Sequence, residues 1–127
     1  MTIHVPYSKA THHLLGEREL KLMKPTAMLI NTSRGPVVDQ AALITALEQG
    51  WIAGAGLDVY ERQPLEAASP LLQMENVTLS PHVGSATWST RSKMGELAAR
   101  NLLAALAGGT PVYWVNPEAA KARRASS

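Results

Sequence analysis

The sequence predicts an α/β protein built on a parallel sheet. Strand-like and helix-like segments alternate with short connections, the strand candidate "IAGAGLDVY" is small and apolar almost throughout, and the two longer helix candidates carry polar caps and terminal glycines. A strand without polar alternation is one covered on both faces, as strands of parallel sheets are.

Taken in order, the β-branched run "TIHVP" reads as the end of a strand stopped by Pro6, and "YSKATHHLLG" as a loop. "ERELKLMKPT" sets Leu20, Leu22 and Met23 among charges, a short surface helix ended by Pro25. "AMLINTS" follows as a buried strand. Asp39 stands where it can cap "QAALITALEQG", whose Leu43, Ile44 and Leu47 share one helical face and whose Gly50 closes it. After the apolar run, "NVTLSPH" is a second short strand, stopped by Pro81. "TWSTRSKMGELAARNLLAALAGG" is the longest helix, with Thr87 as its cap and Gly108 and Gly109 as its stop.

Composition narrows the class. At 127 residues and 46% hydrophobic content the chain has the size and apolar content of one globular domain. Its net charge of +2 owes much to the tail "AAKARRASS", so the body offers no case for nucleic acid or a membrane surface. Cysteine is absent, no apolar run approaches about 18 residues, and no basic-then-apolar leader opens the chain, so disulfides, a membrane span and a signal peptide are not expected. Cytoplasm is the expected compartment.

In open parallel sheets ligands bind beyond the carboxyl ends of the strands. Those ends carry "VP", "NTSRG", "DVYERQ" and "PHVGSAT", so an arginine, an aspartate and a histidine leave different strands toward one rim. Arg34 can grip a carboxylate with two parallel hydrogen bonds, or pair with an acid on the surface. His82 can transfer a proton near neutral pH, or serve structure alone. Asp58 can form a turn or hold a ligand group. No metal-ligand spacing links His4, His12, His13 and His82, so no metal site is expected, and "GAGLD" lacks the G-x-G-x-x-G spacing of a phosphate cradle. Trp51, Trp88 and Trp114 are too scattered for a base-stacking platform.

Read together, "HVPYSKATHHLLG", "MKPTAMLINTSRGPVVDQAALITALEQGWIAGAGLDVYE", "SPLLQMENVTLSPHVGSATWSTR" and "VNP" resemble the D-isomer-specific 2-hydroxyacid dehydrogenases over roughly residues 4 to 117. The wording is most similar to glyoxylate/hydroxypyruvate and 2-ketogluconate reductases. The resemblance implies a partial Rossmann-like sheet, the C-terminal portion of an NAD(P)-binding domain over residues 1–110, and a return segment with a basic tail over 111–127. It implies NAD or NADP as cofactor, a 2-oxo or 2-hydroxy acid as substrate, and a homodimer as the parent assembly. Arg34 becomes the residue for the substrate carboxylate and carbonyl, and His82 the proton donor and acceptor. Asp58 matches an aspartate beside the nicotinamide, while Val5, Thr32, Ser33, Arg34, His82, Val83, Gly84 and Ser85 match positions lining the cofactor.

Two departures from that pattern qualify the expectation. The family's dinucleotide fingerprint and its NAD-or-NADP selecting residue lie upstream of "HVP", so the chain is expected to be a C-terminal fragment, a truncated product or one with a misplaced start, poorly stable alone and with an apolar sheet edge exposed. The family also places a glutamate five residues after the aspartate, hydrogen-bonded to the histidine, and here that residue is Gln63. A neutral amide can orient the imidazole but brings no charge to favour its protonated form. Glu61 and Glu66 have different offsets and are weak substitutes. The competing readings are a non-catalytic nucleotide-binding remnant or interaction module, and a nucleotide-sensing protein like the family's corepressor branch. Formate dehydrogenases resemble the chain in having glutamine at the matching position, though the remaining wording does not.

Overall fold

A computed structural model of the chain describes residues 1–113, 115 and 116. Four strands, Thr2–Ile3 (β1), Met28–Asn31 (β2), Gly54–Leu57 (β3) and Val77–Leu79 (β4), form one sheet in sequence order, and every neighbouring pair is parallel. Parallel neighbours need crossovers. Helix α1 (Glu17–Lys21) lies between β1 and β2, helix α2 (Gln40–Glu48) between β2 and β3, and a 3-10 turn at Pro70–Gln73 between β3 and β4. In register, Asn31 stands opposite Leu57 and Leu57 opposite Leu79, so the chain leaves β2, β3 and β4 along one rim.

Local chemistry sets the element ends. The Asp39 side chain accepts from the Ala42 amide at 3.0 Å, the N-cap expected from the sequence, and Gly50 takes the positive φ of 68° just beyond α2. Helix α1 stops at Lys21, ahead of Pro25, and only Leu20 of its expected apolar set is buried, Leu22 being 80% exposed. Five residues are too few to turn both leucines inward. Strand β3 is buried almost throughout, as its composition requires. Strand β2, expected to be buried as a whole, instead alternates: Leu29 and Asn31 are buried, whereas Met28 is 47% exposed and lies against Gly54, where a Cβ would strike the Asn76 carbonyl oxygen 2.4 Å away.

The core collects one face of these elements. Leu20, Leu29, Leu43, Ile52 and Leu71 are fully buried, drawn from α1, β2, α2, the approach to β3 and the Pro70–Gln73 turn. All belong to a compact unit spanning Met1–Gly84. A second unit begins at Ser85 and contains helix α3 (Trp88–Leu106). Thr87 caps α3 through the Thr90 amide at 3.2 Å, as its position in the sequence suggests, and Gly108 takes a φ of 74° past its end. Asn101, within α3, accepts on Oδ1 from the amides of Val112 at 3.1 Å and Tyr113 at 3.3 Å, beyond the end of the helix. Trp114, the basic tail and most of the return segment expected over 111–127 fall outside the described residues.

Candidate active site

Three loops leave the carboxyl ends of β2, β3 and β4, and each carries one of the polar residues singled out in the sequence. The first is ordered by a residue that sequence reasoning passed over. Asn31, buried at the end of β2, accepts from the Ser33 amide at 3.0 Å and the Ser33 hydroxyl at 2.9 Å, and donates to the Arg34 carbonyl at 3.0 Å. That turn leaves Thr32 and Arg34 exposed. The guanidinium is held to its own chain by the Ser33 carbonyl at 2.6 Å, with its other donors left for a ligand. Gly35 then packs so closely on the second loop that a Cβ there would lie 1.8 Å from the Tyr60 carbonyl oxygen. The arginine loop and the loop after β3 therefore meet backbone to backbone.

Asp58, the first residue after β3, is 5% exposed and binds its own chain. Its carboxylate accepts from the Val83 amide at 2.9 Å, the Gly84 amide at 2.8 Å and, in a very short contact, the Ser80 hydroxyl. The Ser80 hydroxyl above all, with the two amides behind it, holds the Asp58 carboxyl below the usual carboxylate range against the opposing effect of burial. Tyr60 adds a second tie by donating its hydroxyl to the Ser80 carbonyl at 2.8 Å, and burial pushes its phenol above the ordinary tyrosine value, which keeps it a donor.

Between these ties stands His82, exposed and at a φ of 58°, a left-handed conformation that a side chain adopts at a cost. The contacts of Asp58 and Tyr60 on both sides of it overcome that cost. Its Nδ1 lies 3.0 Å from Gln63 Oε1. A carbonyl oxygen only accepts, so Nδ1 carries the hydrogen and Nε2 is the nitrogen left for proton exchange. The sequence pairing of Gln63 with His82 thus has a geometric counterpart. Glu61 and Glu66 are engaged elsewhere: Glu61 with His13 at 2.7 Å and Glu66 with Arg62 at 2.7 Å. Neither replaces the missing carboxylate.

The histidine and its amide partner border a cleft of about 320 Å³ walled mostly by Tyr60, Pro64, Leu65, Leu72 and Leu79. Of the residues matched to cofactor positions, Val5 is half-buried against the core, Thr32, Val83 and Gly84 are exposed, Ser33 is half-buried, and Ser85 is exposed at the start of the second unit. Asn31, Tyr60 and Ser80 are the structural additions. An asparagine ending an apolar strand was the one signal that could have pointed to Asn31; the bond from Tyr60 to Ser80 and the bond from Ser80 to Asp58 each span about twenty residues and leave no local mark.

The sequence model for "D-isomer specific 2-hydroxyacid dehydrogenase, NAD binding domain" matches residues 1–84. A glyoxylate reductase of Thermofilum pendens is 55% identical over 123 residues, 97% of this chain and 36% of that protein. The TT0316 protein from Thermus thermophilus superposes with a TM-score of 0.87 at 45% identity, over 90% of this chain and 36% of that one. An NADPH-dependent glyoxylate/hydroxypyruvate reductase from Sinorhizobium meliloti, solved with NADP and malonate, gives a TM-score of 0.83 at 41% identity over 91% of this chain and 36% of its own. The four-stranded parallel sheet is thus the Rossmann-like fold of its neighbours, and the chain spans about a third of the length of the relatives it matches.

Proposed function

The chain belongs to the D-isomer specific 2-hydroxyacid dehydrogenases by way of their NAD-binding domain, and on that premise we propose that it carries the proton-transferring and acid-binding residues of a reductase for small 2-oxo acids of the glyoxylate and hydroxypyruvate type. One observation carries the reading: His82 is fixed by Gln63 through Nδ1, on a loop locked by Asp58, at the strand-exit rim that also bears Arg34.

The residues present fit the nicotinamide end of a dinucleotide in a limited way. Thr32, Val83 and Gly84 offer an exposed polar and backbone surface at the strand exits, whereas no G-x-G-x-x-G occurs in these 127 residues to cradle a pyrophosphate. Asp58 already accepts from Ser80, Val83 and Gly84, so any contact it makes to a carboxamide is additional to its hold on the loop. When bound, the nicotinamide supplies or takes up the hydride. The chain's own residues do the rest. Arg34 binds the substrate carboxylate with its fork of donors, and His82 Nε2, protonated, gives the carbonyl oxygen its proton in reduction and receives it in oxidation. Gln63 keeps the ring oriented without adding charge.

A chimera tests this proposal. The matching third of the Thermofilum pendens enzyme is replaced by this chain, and glyoxylate and hydroxypyruvate reduction are followed with NADH and with NADPH. Turnover is expected, with Arg34→Lys raising KM roughly tenfold or more because a two-pronged grip becomes a point charge. An inactive chimera that still binds dinucleotide would favour the second reading, a non-catalytic nucleotide-binding remnant, for which the Gln63 amide speaks.

A further inference from the structure

We propose that His13, Asp39 and Glu61 form a binding site for a divalent cation of the zinc type, apart from the residues assigned to proton transfer. Three distant segments converge there: the loop after β1, the cap of α2 and the turn after β3. Nε2 of His13 is 2.7 Å from Glu61 Oε1, Nδ1 is 3.7 Å from Asp39 Oδ2, and one donor atom from each residue lies within 4.8 Å of the others. A tetrahedral zinc ion separates its ligand atoms by roughly 3.3 Å, given metal-ligand bonds of about 2.0–2.1 Å. Small side-chain shifts therefore close the set.

The donor chemistry suits that ion. One imidazole with two carboxylates is a mixed nitrogen and oxygen set, proper to zinc or cobalt rather than to a purely oxygen-seeking cation. The ligands also have capacity to spare: Asp39 caps α2 with Oδ1 and leaves Oδ2, while Glu61 takes the Gln40 amide at 3.0 Å on Oε1 and leaves Oε2. With a neutral imidazole the two carboxylates carry two negative charges, and among the described residues no lysine or arginine lies within 4.0 Å of either. All three side chains are about one-third exposed, open to an ion from solvent.

Hydrogen bonds donated by the backbone amides of the three residues hold their segments in place before any ion arrives. The His13 amide donates to the Pro36 carbonyl at 2.8 Å, the Asp39 amide to the Leu15 carbonyl at 2.9 Å, and the Glu61 amide to Gln40 Oε1 at 3.2 Å. Histidine spacing could not reveal this group, because two of its members are carboxylates. An ion there ties together the segments that hold Arg34 and Gln63 at nearby positions in the chain.

The test uses the full 127-residue chain, stripped with a chelator and titrated calorimetrically with Zn²⁺, while Co²⁺ is used to report tetrahedral ligation by its visible absorption. One ion per chain is expected, with a rise in melting temperature. His13→Ala should weaken Zn²⁺ binding by at least about tenfold, the lower end of what loss of even an outer-shell partner costs. Asp39→Asn keeps the cap and Glu61→Gln keeps an acceptor, so each tests ligation with the fold preserved; each should lose affinity and the Co²⁺ band. His4→Gln should bind as the parent chain does. A folded chain that takes up no Zn²⁺, or Asp39→Asn and Glu61→Gln variants that bind it unchanged, would overturn the proposal.

Discussion

His82 owes its position to other residues. Its left-handed φ of 58° persists because Asp58 pulls on Ser80, Val83 and Gly84 around it and Tyr60 holds the Ser80 carbonyl. Asp58→Asn keeps the shape but removes the charge and turns one of the two accepting oxygens into a donor that faces donors, and should destabilise the Met1–Gly84 unit by about 1–3 kcal/mol in urea unfolding at neutral pH. The sign of the pH effect follows from the direction of the shift. A carboxyl held below its unfolded value, about 3.9, stabilises the fold above that pH and loses the contribution as pH falls through the folded value. Asp58→Asn and the parent chain should therefore differ at neutral pH and converge in strong acid. Gln63 is the other informative residue. Placing a carboxylate 3.0 Å from Nδ1 favours the imidazolium, so Gln63→Glu in the active chimera should carry the reduction profile to higher pH; an unmoved profile would remove Gln63 from the account.

At the scale of elements, strands position the chemistry and loops hold it. Gly35 sits where the β2 and β3 exits touch, and the atom that a Cβ would strike is backbone, which has little freedom to yield. Gly35→Ala should lower stability by about 1–3 kcal/mol or more, read as a lower urea midpoint. Leu43→Ala, fully inside the core from α2, should cost about 2–5 kcal/mol by the same measurement. These elements were largely legible in the sequence. Asp39, Thr87, Gly50 and Gly108 announce helix ends by local chemistry, and the apolar run through Gly54–Leu57 announces a covered strand. What the sequence concealed depends on distance along the chain. The Gly35 contact, the ties from Asp58 to Val83 and Gly84, and the meeting of His13 with Glu61 all join segments that only folding brings together. Met28 departs from the buried strand that the sequence predicts for a related reason, since an apolar run shows which residues can be covered but not how far the covering element extends.

Across the whole molecule the two units differ in how much they bury. The Met1–Gly84 unit contains the clustered core, whereas α3 holds no buried residue and presents Trp88, 90% exposed, and Leu106, 75% exposed. Hydrogen exchange should reflect that difference: amides of β2, β3 and α2 protected, those of α3 exchanging far faster, because a helix draws most of its stability from packing its apolar face. Family membership rests on the first unit, whose 84 residues are those matched by the NAD-binding domain, and so does the account of proton transfer. The most direct measurement is the rate of glyoxylate reduction by the Thermofilum pendens chimera with His82 intact and with His82→Gln. Loss of about 100-fold or more in kcat, with dinucleotide binding retained, is the expected result; a His82→Gln chimera that reduces glyoxylate as fast as its parent would contradict the account.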